Sequence, residues 1–169
     1  EIYKIIDNLY FLGVKQIGIT GGEPLIHPYF PDIINYIHSL GIKIYLSTNC
    51  DFFFEYEQLI KEKISILGVP IDGSTSEIHD YHRGKGSFSN VINVMNNIIS
   101  SNSNLLLKIG TVVTNYNFKN LNLIEELLNN YKDKILFWKL YEIIIYEKNK
   151  NALQMKSNDL ILQKDFGSY

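Results

Sequence analysis

Residues 16–25 read QIGITGGEPL, a short apolar run that ends in two glycines, a glutamate and a proline. The apolar run predicts a strand, and Gly21 and Gly22 allow the main chain to turn sharply and to approach a ligand closely. Pro24 restricts the backbone of Glu23 toward the extended region, which fixes a carboxylate at the strand end. This carboxylate and the free peptide groups could hold an ammonium group, or the segment could be a tight turn with a surface glutamate.

Helical and strand-like patterns alternate on both sides of this turn. The spacing of apolar residues predicts helices over residues 2–12, 29–40, 54–61, 87–101 and 121–130, and strands over 16–20, 42–47, 64–71, 105–113 and 135–145. A polar, glycine-rich loop is expected over 72–86. The near-continuous apolar character of the last strand is typical of a sheet that is covered on both faces.

This alternation predicts an α/β fold with a parallel sheet and right-handed crossovers. The sheet could be an open doubly wound one or an arc of a β/α barrel. In either arrangement, ligands bind at the carboxyl ends of the strands. The unusual polar residues of this sequence all follow predicted strands.

Composition excludes several classes of protein. With 169 residues, 46% of them hydrophobic and 20% charged, the chain can bury a substantial core and is one domain or a piece of one. A net charge of −2 argues against a general polyanion binder. No apolar run reaches the roughly 18 residues of a membrane-spanning helix. The first residue is Glu1, and it already belongs to a helical pattern, so we expect an internal fragment.

Polar side chains follow the second predicted strand. Ser47, Thr48, Asn49 and Cys50 could bind polar groups of a ligand, but such residues also make turns and cap helices, and the second interpretation is favoured. Cys50 is the only cysteine, so the chain forms no internal disulfide and no all-cysteine metal site.

The segment after the third strand carries several ionisable residues. Asp72 could accept hydrogen bonds from a sugar diol, and His79, His82 and Arg83 follow it. Alternatively, Ser87 caps the next helix and the histidines are solvated. Arg83 is the only arginine among sixteen basic residues, which favours a planar, bidentate role that lysine would not serve.

Two further features lie inside strands. Gly110 is costly within a strand unless a ligand ring or another chain segment approaches closely. Lys139, in the run Trp138-Lys139-Leu140-Tyr141, could point into a barrel lumen or extend its ammonium to solvent beside a packed tryptophan.

The order of these motifs resembles the core of the radical S-adenosylmethionine (SAM) enzymes. It comprises the Gly-Gly-Glu-Pro turn, the Thr-Asn and Asp-Gly strand ends, the Arg-Gly-x-Gly loop and the Thr-Val-Val-Thr-Asn strand. The resemblance implies a partial (β/α) barrel over residues 1–146, truncated at its N-terminus with the first βα unit missing. Residues 147–169 are then a C-terminal tail or the start of a following region.

The resemblance also implies roles for individual residues. The Gly-Gly-Glu turn is expected to contact the SAM amino group, the strand end at Asp72 the ribose, and the strand from Gly110 the adenine. Because Pro70 replaces a serine common in the family, that contact is expected to be lost or to move to Ser74. The implied SAM-binding residues are Gly21, Gly22, Glu23, Pro24, Ser47, Thr48, Asn49, Asp72, Ser74, Gly110, Val112 and Val113, and the implied substrate-binding residues are Arg83, Lys108 and Lys139.

Two comparisons within the family bear on the substrate side. In relatives that cyclise GTP, a lysine at the position of Lys108 meets the substrate. The Trp-Lys-x-Tyr strand resembles one in the viperin-like enzymes, although it does not assign their activity.

The largest departure from the family concerns its 4Fe–4S cluster, which is held by three cysteines spaced C-x-x-x-C-x-x-C. One thiolate cannot replace three, so no metal ligand is expected in this fragment and the cysteines are expected upstream of residue 1. Cys50 stands where relatives commonly have glycine and is expected to be a partly buried thiol.

The resemblance therefore implies a cytoplasmic enzyme that binds SAM beside the cluster and generates a 5′-deoxyadenosyl radical for hydrogen abstraction from an unknown substrate. An external electron donor such as ferredoxin or flavodoxin is implied, with no membrane partner and no specific sign of nucleic acid. The fragment alone is expected to be inactive. The alternatives are a cluster-less, noncatalytic SAM-binding or scaffold protein of the same fold, and an unrelated β/α barrel with a phosphate site.

Overall fold

The computed structural model describes residues 1–142, which form six helices and five strands. The helices are α1 (Ile2–Phe11), α2 (Phe30–Ser39), α3 (Glu57–Lys63), α4 (Ser76–Arg83), α5 (Ser87–Ile99) and α6 (Leu121–Leu128). The strands are β1 (Gln16–Ile19), β2 (Lys43–Ser47), β3 (Ile66–Pro70), β4 (Leu106–Val113) and β5 (Ile135–Glu142). The predicted alternation of helix and strand is confirmed over these residues.

The five strands form one parallel sheet in the order β1-β2-β3-β4-β5. A doubly wound sheet would reverse its strand order at a switch point, and this sheet does not. Because right-handed crossovers in a constant direction place every helix on the same face, the other face stays open as a concave surface. Of the two arrangements that the sequence leaves open, the structure is therefore the arc of a β/α barrel.

Strand β4 shows how the two faces of the sheet differ. Its residues Leu107, Ile109, Thr111 and Val113 are buried, whereas the intervening residues are half-buried. The buried set faces the helices, whose apolar stripes complete one core. The fully buried members include Ile34 and Ile37 of α2, Ile60 of α3, Val91, Val94, Met95 and Ile98 of α5, and Ile124 of α6. Each such side chain contributes about 1.5–3 kcal/mol by leaving water.

Residues 72–86, predicted to be a loop, contain helix α4, and that prediction is wrong. The helix has no apolar stripe, because His79 is its only buried side chain and all the others are half-buried or exposed. The apolar periodicity that predicts a helix from sequence is therefore missing from this segment. The helix ends at Gly84, whose φ of +95° is a conformation that L side chains rarely adopt.

The prediction that the last strand is covered on both faces is wrong over Ile135–Glu142. Leu136, Phe137 and Leu140 are 44–48% exposed, and β5 pairs only with β4 among the described strands. Residues 143–145 of the predicted strand, the end of the predicted core at residue 146 and the predicted tail over 147–169 lie outside the described residues.

The helices of residues 1–142 are short, the longest having 13 residues. None of them combines the length and apolar character needed to cross a bilayer.

Candidate functional site

A cavity of about 360 Å³ lies on the concave face, toward the carboxyl ends of the strands. Its volume is in the range of small-molecule sites. The residues that line it are Gly21, Gly22, Tyr45, Ser47, Thr48, Asn49, Gly68, Val69, Pro70, Arg83, Lys108, Gly110, Val112 and Tyr141. The cavity thus brings together nine of the fifteen residues that the sequence pointed to.

The turn after β1 leaves its main chain open to the cavity. A Cβ atom added at Gly21 or Gly22 would meet no atom within 4 Å, so these positions face open space. Gly21 has a φ of +143°, which L side chains rarely adopt, and a substitution there is strained as well. The two glycines therefore expose peptide groups where a ligand can approach closely.

Glu23 lies behind this turn and does not line the cavity. Its Oε1 accepts hydrogen bonds from the Leu25 N–H (3.0 Å) and the Thr48 hydroxyl (2.7 Å), and its Oε2 accepts one from the Asn49 N–H (2.7 Å). The carboxylate therefore joins the end of β1 to the end of β2. Pro24, which begins a short 3₁₀ turn, also lies outside the cavity lining.

The residues after β2 both make a turn and line the cavity. The Thr48 Oγ1 accepts from the Cys50 N–H (3.1 Å), and the Asn49 Oδ1 accepts from the Asp51 N–H (3.0 Å). Ser47, Thr48 and Asn49 also reach the cavity, so the two interpretations left open by the sequence are compatible.

Cys50 is 1% exposed, so the expectation of a partly buried thiol is wrong. Its φ of +75° is uncommon for any residue but glycine. Burial raises the pKa of the thiol, and the neighbouring Glu23 carboxylate raises it further. A neutral, buried thiol is a poor metal ligand.

Asp72 is buried beneath the cavity, with 2% exposure. Its Oδ1 accepts from the Val112 N–H (2.7 Å) and its Oδ2 accepts from the Arg83 Nε–H (2.6 Å). Both oxygens, expected to meet a ribose, therefore have protein partners. Arg83 contacts Asp72 through Nε alone and itself lines the cavity, as does Val112.

The loop between α4 and α5 is fixed by Asp80 and not by Ser87. The Asp80 carboxylate accepts from the Gly86 N–H (2.7 Å) and the Phe88 N–H (2.8 Å). Burial opposes its charge, but these two N–H groups outweigh burial and lower the pKa of Asp80. His79 is buried, so it is not solvated, whereas His82 is exposed and has its Nε2 3.3 Å from the Thr114 Oγ1.

Three other predicted residues lie away from the cavity. Ser74 pairs with the Asn120 amide, donating its N–H (2.8 Å) and accepting at Oγ (2.9 Å). Val113 belongs to the buried face of β4. Lys139 is exposed, with its Nζ 4.9 Å from the centre of the Tyr141 ring.

The floor of the cavity contains two tyrosines that sequence reasoning missed. Lys108 Nζ donates to the Tyr45 hydroxyl (3.0 Å) and to the Tyr141 hydroxyl (2.5 Å). Burial disfavours the charged lysine, but these hydrogen bonds outweigh burial and raise the pKa of Lys108.

Glycines on the neighbouring strands make room for both rings. A Cβ at Gly68 would lie 2.5 Å from the Tyr45 hydroxyl oxygen, and a Cβ at Gly110 would lie 3.2 Å from the Tyr141 ring. A neighbouring chain segment thus approaches Gly110 closely, and Gly110 also lines the cavity. A glycine inside a strand often marks a place where another group approaches closely. Once the strand register is known, a tyrosine opposite such a glycine is the signal that predicts these two rings in the floor of the cavity.

The described residues do not fit an iron–sulfur cluster. No group of three or more His, Cys, Asp or Glu side chains in residues 1–142 is placed to hold a metal ion. The single cysteine of the sequence could supply only one of the thiolates that such a cluster requires.

The parallel arc with a cavity at its strand ends is the architecture of a β/α-barrel protein with a small-molecule site. The sequence profile of the Radical SAM superfamily matches residues 1–128, and the chain belongs to this family. The resemblance seen in the sequence is thereby confirmed, and an unrelated β/α barrel is excluded.

Two curated proteins illustrate the similarity. The chain is 31% identical over 136 residues to the mycofactocin maturase MftC of Mycobacterium ulcerans, covering 78% of this chain and 36% of that protein. It is 28% identical over 183 aligned positions to an S-adenosylmethionine-dependent nucleotide dehydratase of Selenomonas ruminantium, covering 98% of this chain and 61% of that protein. The relatives are enzymes, which confirms the prediction of an enzyme family, and the chain spans less than two thirds of their length.

The fold is shared with SuiB of Streptococcus suis, whose crystal structure contains bound S-adenosylmethionine. The TM-score is 0.76 at 15% sequence identity, over 86% of this chain and 34% of SuiB. The expected partial barrel is confirmed by this likeness.

Proposed function

We propose that this chain is the SAM-binding part of a radical SAM enzyme and that SAM occupies the cavity at the strand ends. The observation that carries the proposal is the open Gly21-Gly22 turn at the rim of the cavity, in a chain of this family. The exposed peptide groups of that turn would face the amino acid part of SAM. Ser47, Thr48 and Asn49 would line the same side.

The opposite side of the cavity would take the nucleoside and the substrate. Val112 would pass beside the adenine, because its N–H is used by Asp72 and only its apolar side chain is left to face the ligand. Arg83 and Lys108 supply positive charge, and Lys108 pairs with no carboxylate among residues 1–142. An anionic group on the substrate would suit these two cations.

The chemistry of such an enzyme needs a 4Fe–4S cluster, whose three cysteines we place outside this sequence. When bound, such a cluster would supply the electron for reductive cleavage of SAM. The residues described here would bind and orient SAM and the substrate and would exclude competing reactions. An external donor such as ferredoxin or flavodoxin would supply the electron.

The SAM site is tested by adding one methyl group at each of two glycines. Gly22→Ala places it in the open cavity without a demanding φ, so SAM affinity measured by calorimetry is expected to fall about tenfold while stability changes little. Gly13→Ala is the matched control, since Gly13 (φ +81°) precedes β1 at the other end of the strand and does not line the cavity. It is expected to lower stability by about 1 kcal/mol and to leave SAM affinity unchanged.

Wild-type protein that binds no SAM, or a Gly22→Ala variant that binds it as tightly as wild type, would overturn the proposed site. The cluster assignment has a separate test. The 169-residue chain, treated anaerobically with iron and sulfide, is expected to show no 4Fe–4S absorbance and to cleave no SAM. A brown, active protein would contradict it.

A further inference from the structure

His79 is fully buried, at 0% exposure, and its two ring nitrogens have different partners. The Asp72 main-chain N–H lies 3.1 Å from Nδ1, and the Ser87 Oγ lies 3.2 Å from Nε2. A main-chain N–H can only donate, so Nδ1 must carry a lone pair. Nε2 then carries the proton and donates it to Ser87. These contacts define a neutral imidazole in a single tautomer.

Asp72, whose main-chain N–H contacts His79, connects two parts of the cavity wall. Asp72 accepts from Val112 of β4 and from Arg83 at the end of α4, and both of these residues line the cavity. A displacement of Asp72 therefore displaces two lining residues at once. His79 itself does not reach the cavity.

The main chain at Asp72 is held from both sides. His79 takes its N–H, and the Asn117 amide donates to its carbonyl oxygen (2.9 Å). The adjacent Gly73 has no room for a side chain, since a Cβ there would lie 2.5 Å from the His79 main-chain nitrogen and 2.7 Å from Ile78. Helix α4 thus packs directly against the main chain at Gly73. Of the two side chains that hold the Asp72 main chain, His79 and Asn117, only His79 changes its hydrogen bonding with pH.

Burial favours the uncharged ring. Burial lowers the pKa of His79, the Arg83 charge lowers it further, and the Asp72 and Asp80 carboxylates act in the opposite sense. From helix α5, the uncharged Ser87 hydroxyl contacts the His79 ring, and the centre of the Phe88 ring is 5.7 Å from that of His79. In a protonated ring, Nδ1 would carry a proton and could no longer accept the Asp72 N–H. The two N–H groups would then repel each other.

We propose that His79 is a positioning residue for the cavity, because its neutral ring holds Asp72 where Arg83 and Val112 face the ligand, and its protonation releases them. This inference rests on the proposed function in taking SAM as the ligand. SAM affinity is then expected to fall in acid as one proton is taken up. Because the pKa of His79 is lowered, the pH range over which SAM affinity falls lies below about 6.5, the ordinary pKa of histidine.

The test compares two amide substitutions in the 169-residue chain. In His79→Asn an amide oxygen can stand where Nδ1 stands and cannot titrate, whereas the amide of His79→Gln reaches the position of Nε2 instead. SAM affinity is measured by calorimetry from pH 8 to pH 5. Wild type is expected to lose about tenfold in affinity per pH unit below the pKa of the ring. His79→Asn is expected to keep most of the affinity at pH 7.5 and to lose this acid sensitivity, and His79→Gln to bind weakly at every pH.

Titration of SAM itself affects all three proteins equally and cancels in the comparison. An acid loss in His79→Asn equal to that of wild type would overturn the proposal. So would a His79→Gln variant that binds as tightly as wild type.

A readout without ligand separates this inference from the proposed function. The ¹⁵N spectrum of wild type at pH 7.5 is expected to show His79 with a bare Nδ1 and a protonated Nε2. The Asp72 amide is expected to be protected from hydrogen exchange in wild type and His79→Asn, but not in His79→Gln. If SAM does not bind, the function fails while these results still support the role of His79. The opposite tautomer, or equal protection in the Gln variant, overturns that role.

Discussion

Two carboxylates stand at equivalent places in the barrel, and their surroundings differ. Glu23 follows β1, is half-buried and takes all its hydrogen bonds from uncharged donors. Asp72 follows β3, is buried and takes one of its bonds from the charged Arg83. Each joins its own strand end to the next strand, so we call the two groups the Glu23 brace and the Asp72 brace.

The comparison shows that a carboxylate at the end of a barrel strand can hold cavity-lining residues in place without lining the cavity itself. The Glu23 brace presents the peptide groups of Gly21 and Gly22, and the Asp72 brace presents Arg83 and Val112. Removal of either carboxylate should therefore cost stability, and the cost should follow burial and charge.

The Asp72 brace is expected to give the larger loss. Asp72→Ala leaves the Val112 N–H without its acceptor and Arg83 without its carboxylate, so the free energy of unfolding should fall by about 3 kcal/mol. Urea denaturation followed by the fluorescence of Trp138, the only tryptophan, measures it. Asp72→Asn retains an oxygen for the Val112 N–H and should lose less. A fall under about 1 kcal/mol for Asp72→Ala would show that the buried pair does not stabilise the fold.

The Glu23 brace should be the weaker one. Glu23→Ala removes three hydrogen bonds, but all three donors are uncharged and no ion pair is broken, so a loss of about 2 kcal/mol is expected. The same urea titration applies, with Glu23→Gln as the control that keeps one amide oxygen. A loss larger than that of Asp72→Ala would reverse the order of the two braces.

A smaller effect should come from one partner within the Glu23 brace. Thr48→Val keeps the shape of the side chain but removes the donor to Glu23 and the acceptor for the Cys50 N–H, at a cost of about 1 kcal/mol. Thr48→Ser retains the hydroxyl and should be milder. If both substitutions destabilise equally, the methyl group of Thr48 matters and its hydroxyl does not.

Coupling between the braces should be the smallest effect. The two share no hydrogen-bond partner, so Glu23→Gln and Asp72→Asn should add to within about 0.5 kcal/mol in a double-mutant cycle. Glu23→Gln and Thr48→Val, which contact each other, should not add. A large coupling across the braces would mean that the cavity wall responds as one unit.

The sequence predicts the fold well because apolar periodicity depends on burial, and burial here follows the regular alternation of strand and helix. Helix α4 was missed because it buries only His79, which is not an apolar residue. At the site, the glycines and short polar residues were found, since they follow strands. The pairing of Glu23 with Thr48 and of Asp72 with Val112 was not predicted, because it depends on the register of the neighbouring strand. Lys108 was identified, while Tyr45 and Tyr141 require the same register.

The order of strands across the sheet also sets the order in which a growing chain can complete this site. Thr48 follows Glu23 by 25 residues, so the Glu23 brace can close as soon as β2 has left the ribosome. Val112 follows Asp72 by 40 residues, and the Asp72 brace must wait for both α5 and β4. At roughly 5–20 residues per second, the second brace becomes available several seconds after the first. Until then, the emerging chain holds only the Gly21-Gly22 side of the cavity.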